Sequence, residues 1–199
     1  MSLFKQFKAG KLEVKVYETR GEMGRASSEE MCMVLRKLLK MKDEANVIFA
    51  AAPSQNEFLE GLAHAEGVDW HRVNAFHMDE YVGLDENAPQ RFGNFLKERL
   101  FGRVAFKSVF YLNGNEDPKV ECNRYAGLLK QYPTDIVCMG IGENGHIAFN
   151  DPHMALFNDP QPVKLVELDR KSREQQVHDG CFARLDDVPA QALTLTIPS

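Results

Sequence analysis

Short apolar runs alternate with amphipathic stretches along the whole chain, and that rhythm narrows the fold more than any other feature. Leu12 to Tyr17 alternates Leu, Val and Val with charge and reads as a strand. Asn46 to Ala52 is a continuous apolar run, the pattern of a parallel strand buried on both faces. Arg72 to Met78, Ser108 to Leu112, Asp135 to Ile141, Val163 to Leu168 and Leu193 to Ile197 are further strand candidates. Helical patterns lie between them. Ser27-Ser-Glu-Glu30 can cap a helix with Met31, Val34, Leu35, Leu38 and Leu39 on one face. Pro53 to Asn56 opens a second, with Phe58, Leu59 and Leu62 apolar. Pro89 to Phe101 carries Phe92, Phe95, Leu96 and Leu100 at helical spacing. Asp117-Pro118 starts a helix to about Gln131, and another covers about Arg170 to Asp179. The alternation predicts a doubly wound α/β fold, a mainly parallel sheet with helices on both faces and right-handed crossovers.

A chain of 199 residues suits one such domain and can bury a core without disulfides or a structural metal. Its net charge of −5 argues against nonspecific binding of nucleic acid or an anionic membrane. Cys32, Cys122, Cys138 and Cys181 form no C-x-x-C pair and no cluster with His, so free thiols are expected, with no zinc site. Met1 to Lys8 lacks the apolar core of a signal peptide, and no run approaches the roughly 18 apolar residues of a membrane span. A cytoplasmic location is the expectation. Leu193 to Ile197 reads as an interior strand lying against the end of the chain. Residues 1–199 are therefore expected to be a single domain truncated on its C-terminal side, lacking its last unit.

In open α/β sheets ligands bind beyond the carboxyl ends of the strands, where strand order switches. Three loops there stand out. Gly140-Ile-Gly-Glu-Asn-Gly-His146 packs three glycines before a histidine, with Asp151 five residues on. Glycine lets backbone approach a ligand, and a His with a nearby carboxylate can exchange protons near neutral pH. A dinucleotide-type glycine turn with an incidental His fits equally, although no acidic residue at the end of a following strand completes that fingerprint. Phe76-His-Met-Asp79-Glu80 ends a strand in two adjacent carboxylates. Extended backbone sends them to opposite faces, so at most one faces a pocket, and a solvated acidic turn is the simpler reading. His77 reads as a packing residue. Ala51-Ala52-Pro53-Ser54-Gln55 leads into a helix N-terminus, suited to an anion, while Ser54 would equally serve as a cap. Arg173 could clamp a phosphate, or lie solvated.

Taken together, Phe76-His-Met-Asp-Glu-Tyr-Val-Gly-Leu84, Gly140 to Pro152 and Asp186-Asp-Val-Pro-Ala-Gln-Ala-Leu-Thr194 resemble the glucosamine-6-phosphate deaminase/isomerase family, related to the 6-phosphogluconolactonases. The likeness runs from about Leu12 to Ser199, and Gly145-His-Ile-Ala-Phe-Asn150 resembles the deaminase side. The resemblance implies a Rossmann-like fold and conversion of an amino-sugar phosphate to a ketose phosphate with release of ammonia. It implies Asp79 as the enolisation base. It implies His146 as the ring-opening group, with Asn144 and Asp151 as its partners. Ala52, Ser54, Gln55, Gly142, Gly145 and Arg173 correspond to the substrate and phosphate cradle. No metal or organic cofactor is implied. The partner implied is a small sugar phosphate, and a homo-oligomer is compatible, since members include monomers and symmetric hexamers.

The chain departs from the family at several points. Ala51-Ala-Pro-Ser-Gln55 stands where Thr-Gly-Gly-Thr-Pro is common, and Pro53 removes one backbone donor. Asp151 replaces a glutamate and is one methylene shorter. Phe92 stands where tyrosine is frequent, and the family's phosphate-binding lysine lies beyond this chain. Two alternatives follow: a noncatalytic sugar-phosphate sensor, and a lactone hydrolase on the same fold. Ile147-Ala-Phe-Asn150 speaks against the second.

Overall fold

Strand side chains alternate between faces, and two separate apolar layers result. Val47, Phe49, Val73 and Ala75 pack with Met31, Leu35, Leu59, Leu62 and Leu96 on one side. Ile48, Phe76 and Met78 pack with Leu112 and Tyr125 on the other. Every residue of the two central strands is buried, as a sheet covered on both faces requires. The computed structural model describes residues 3–199. Met1 and Ser2, the start of the segment examined for a signal peptide, lie outside the described residues.

The chain opens with an antiparallel hairpin, β1 (Leu3–Ala9) and β2 (Leu12–Tyr17). Helix α1 (Arg20–Leu38) follows, then β3 (Ala45–Phe49), α2 (Asn56–Ala63), β4 (Val73–His77) and the short β5 (Asp79–Tyr81). Next come α3 (Phe92–Leu96) with a π-helical turn at Lys97–Phe101, β6 (Ser108–Phe110), α4 (Pro118–Gln131) and β7 (Ile136–Cys138). The remaining elements are β8 (Val163–Glu167), α5 (Arg170–His178) and β9 (Gln191–Leu195). Strands β6, β4, β3 and β7 form a parallel sheet in that order. Strands β5, β9 and β8 form a second, antiparallel sheet. Among the described residues no helix is long and apolar enough to cross a membrane.

The doubly wound parallel sheet with helices on both faces is present, with four differences from the expected elements. The helix expected from Ser27 begins at Arg20, where the Thr19 side chain accepts from the Glu22 N–H. Ser27 and Ser28 lie mid-helix and donate to the carbonyls of Gly24 and Arg25 instead. The helix expected from Pro89 begins at Phe92. Val34, expected on the buried face of α1, is exposed, and Cys32 is buried in its place. The last strands leave the parallel sheet: β9 is the interior strand of the antiparallel one, between β5 and β8.

One crossing between the sheets positions the site. After β4 the chain passes through Met78, whose carbonyl accepts from the Leu195 N–H at 2.8 Å, and enters β5 at Asp79. The chain therefore changes sheets at the carboxyl end of β4.

Candidate active site

The three loops singled out in the sequence converge on one cleft. Ala50 to Ser54 follow β3, Met78 and Asp79 follow β4, and Gly140 to Gly142 with His146, Ala148 and Phe149 follow β7. Phe92 of α3 and Gln175, Gln176 and Asp179 from the end of α5 close the remaining walls.

Asp79 and Glu80 are both buried, so the solvated acidic turn is overturned. The alternation of β5 separates them. Glu80 turns inward and accepts from the N–H groups of Tyr81, Phe92 and Gly93, each at 3.0 Å, which fixes the start of α3. Burial raises its pKa, opposed by those N–H groups and by Arg91. Asp79 turns to the cleft with no hydrogen-bond partner for its carboxylate among the described residues. Burial, together with the charge of Glu80, pushes its pKa well above the ordinary carboxylate value.

His77 is fully buried and satisfied at both nitrogens, as a packing residue should be. The Leu112 N–H donates to Nε2 at 2.9 Å, so the ring proton sits on Nδ1 and donates to the Asp79 carbonyl at 2.8 Å. The Tyr125 hydroxyl accepts from the His77 N–H at 3.0 Å and lies 2.9 Å from the His77 carbonyl. The backbone that presents Asp79 is thus held from two directions.

His146 is held on one edge. Its Nδ1 lies 2.6 Å from Asn144 Oδ1 and 3.3 Å from Asp151 Oδ1. Both are acceptors, so Nδ1 carries a proton and Nε2 is left as an acceptor. Asn144 Nδ2 donates to the same Asp151 oxygen at 3.0 Å, and the Asp169 N–H donates to the other at 2.9 Å. Burial would raise the Asp151 pKa, but the bonds from His146, Asn144 and Asp169 outweigh it and hold the pKa below the ordinary value. The shorter acid therefore reaches His146 directly.

The loop geometry explains its glycines. The His146 ring covers Gly142 so closely that a Cβ there would sit 2.1 Å from Cε1. Gly145 turns the chain at φ +85° and Ala148 at φ 51°. The Phe149 N–H donates to Thr194 Oγ1 at 3.0 Å, and Asn150 Nδ2 donates to the Leu195 carbonyl at 2.7 Å. The histidine loop is in this way fastened to β9.

Asp79, His146, Ala52, Ser54 and Gly142 line the cleft, with Asn144 and Asp151 behind His146. Gln55 lines a neighbouring groove beyond Ser54, and Gly145 serves the turn. Arg173 is not brought to the cleft. Its guanidinium donates to the carbonyls of Leu185 and Val188 at 2.8 and 2.9 Å, bracing the segment before β9. Sequence reasoning missed Gln175, Gln176 and Asp179, whose polar face on a polar helix carries no local signal. Among the described residues no three His, Cys, Asp or Glu side chains converge as metal ligands would.

Comparison with known proteins bears on this geometry. The family model described as glucosamine-6-phosphate isomerases/6-phosphogluconolactonase matches residues 18–178. A glucosamine-6-phosphate deaminase of Exiguobacterium sp. is 38% identical over 131 residues, 65% of this chain and 50% of that protein. One from Streptococcus pneumoniae serotype 4 is 37% identical over 149 residues, 74% of this chain and 61% of that protein. The chain thus spans between half and two thirds of the length of these curated relatives. Among solved structures, a monomeric glucosamine-6-phosphate deaminase superposes with a TM-score of 0.80 at 27% identity, covering 92% of this chain and 75% of that one. A 6-phosphogluconolactonase from Thermotoga maritima shares the fold, with a TM-score of 0.68 at 21% identity over 87% of this chain and 72% of that one. The match of the family model across most of the chain, through the loops that build the cleft, makes this protein a member of the glucosamine-6-phosphate isomerase/6-phosphogluconolactonase family.

Proposed function

We propose that this cleft isomerises and deaminates an amino-sugar phosphate, glucosamine 6-phosphate or a close analogue, to a ketose phosphate and ammonia. The observation that carries the reading is the pairing of two proton-transfer groups of different character across one cleft. Asp79 is a buried carboxylate with an elevated pKa, and His146 is oriented by Asn144 and Asp151. The curated relatives, named glucosamine-6-phosphate deaminases, support the same reading.

His146 Nε2 takes and returns the proton that moves between the ring oxygen and the anomeric hydroxyl as the pyranose opens. The fixed Nδ1–H bond keeps the ring in the tautomer this requires. Asp79 then removes the proton on C2, beside the open-chain carbonyl, and delivers a proton to C1. The C1 oxygen takes up a proton as the amine gives one up, leaving an imine at C2; water adds to that carbon and ammonia leaves. A carboxylate of raised pKa suits this shuttle, because a base of ordinary pKa would return the proton poorly. Phe92 and Phe149, stacked with ring centres 5.6 Å apart, form a dry wall near it.

The test is incubation with glucosamine 6-phosphate, assaying ketose phosphate and ammonia. Equal release of both products is expected. Binding without product would instead favour a sugar-phosphate sensor. Acid formed from a phosphorylated lactone, with no ammonia from any amino sugar, would favour hydrolysis.

A further inference from the structure

Two carboxylates border the cleft: Asp79, buried, from β5, and Asp179 from the wall made by α5. Asp179 caps the carboxyl end of α5. That is an adverse place for an acid, because the helix dipole puts partial negative charge there. His178, the basic residue of the last turn, is turned to Glu143, 3.1 Å away. Gly180 then turns the chain at φ +74°. A helix carboxyl end and a carboxylate at one point both favour a cation. A local rule broken in this way is expected where a site needs it.

Asp179 is also held in place. Gln175 Oε1 accepts from the Glu143 N–H at 2.9 Å, and Gln175 Nε2 donates to Asp179 Oδ2 at 3.3 Å. The glutamine thus links this carboxylate to the glycine loop that carries His146. Its amide is neutral, so the charge of Asp179 is kept, and Oδ1 has no partner among the described residues. Asp179 is exposed, as a group that meets an entering ligand has to be. The substrate proposed above bears an amine on C2, protonated in large part at pH 7 as α-amino groups are. C2 is the carbon on which Asp79 works, so a group that reads its substituent must border the same cleft.

We propose that Asp179 is the specificity residue for the substrate's nitrogen. Its carboxylate accepts a hydrogen bond from the C2 ammonium and selects an amino sugar over the same sugar with a hydroxyl at that carbon. The proposal rests on the amino-sugar phosphate reading above.

Equilibrium binding of glucosamine 6-phosphate and glucose 6-phosphate to the full 199-residue chain tests it. Wild type is expected to prefer the amine. In Asp179→Asn, affinity for glucosamine 6-phosphate is expected to fall roughly ten- to a hundredfold, the range for a lost charge-assisted hydrogen bond. Affinity for glucose 6-phosphate is expected to match wild type. Asp179→Ala should show the same selective loss, which serves if Asp179→Asn folds poorly. An undiminished preference for the amine in either folded variant would overturn the proposal. An equal loss for both sugars would overturn it too, since that marks a damaged cleft. So would a wild type with no preference for the amine, whether it binds both sugars alike or neither. If the preference depends on Asp179 but wild type forms no ammonia or ketose phosphate, the deaminase reading fails and the amine site stands. If wild type forms both products and Asp179→Asn keeps its KM for glucosamine 6-phosphate, the deaminase reading stands and the amine site fails.

Discussion

Asp79 carries the sharpest conflict between stability and chemistry. Its carboxylate is buried and unpaired among the described residues, so ionising it in the folded protein is costly. Its folded pKa is raised, so the native state holds this proton more tightly than the unfolded chain. Its contribution to stability therefore falls as pH rises from the unfolded value, about 3.9, toward the folded one. Asp79→Asn should lower turnover by about 10²- to 10⁴-fold, the usual range for a general base. Its thermal midpoint at pH 7 should stay level or rise, and a clear fall would show that the carboxylate is paired. In wild type the acidic limb of the rate profile should lie above the ordinary carboxylate range, because the base must be ionised to act. Asp151 works with the opposite sign. Its depressed pKa means stability that is present above the unfolded value and lost as pH falls through the folded one. Asp151→Ala strips an acceptor from His146, Asn144 and the Asp169 N–H. It should cost about 1–3 kcal/mol in urea denaturation at pH 7, with the gap to wild type closing in strong acid.

Element packing turns on a few glycines. Helices α1 and α2 approach closely where Gly24 faces Glu57 and Gly61 faces Ser28; a Cβ on Gly24 would sit 2.4 Å from the Glu57 Cβ and 2.8 Å from its backbone carbon. Gly24→Ala should therefore destabilise by about 1–3 kcal/mol by forcing the helices apart, read as a lower urea midpoint. Gly24, together with Gly21, also hid the start of α1 from the sequence. Arg20-Gly-Glu-Met-Gly24 offers weak helix propensity, so Ser27 looked like the cap, yet packing against α2 carries the helix back to Thr19. Strand β5 was hidden too: three residues beginning Asp-Glu have no strand signature, and only pairing with β9 makes them one. The histidine loop was readable because its glycines, His146 and Asp151 are contiguous in sequence. Asp151 met His146 as that spacing suggested, and Asn144 met it as the family resemblance implied. The α5 wall and the place of Arg173 were not readable, since they depend on how a polar helix is laid against the cleft.

At the scale of the whole molecule, the cleft sits where a parallel and an antiparallel sheet meet. Thr194 Oγ1 accepts from the Phe149 N–H, linking β9 to the histidine loop. Thr194→Val should leave that buried N–H unpaired and cost about 1–3 kcal/mol, with turnover falling further than stability alone explains because His146 is displaced. His77 ends β4 at the same seam and bonds to the carbonyl of Asp79 in β5. Burial holds its pKa down at about 4, whereas an unfolded histidine titrates near about 6.5. The unfolded chain then takes up a proton that the native state refuses, so stability should fall as pH drops through that window. Asp79 pulls the other way over part of the range, so the fall is best read from thermal midpoints of Asp79→Asn between pH 7 and 4.5. The same ring offers an observation that needs no substrate. Its Nδ1 proton is pinned to the carbonyl of Asp79 and sealed from water. It should exchange slowly enough to give a resolved downfield imidazole signal in proton NMR, a spectroscopic reporter one peptide away from the proposed base.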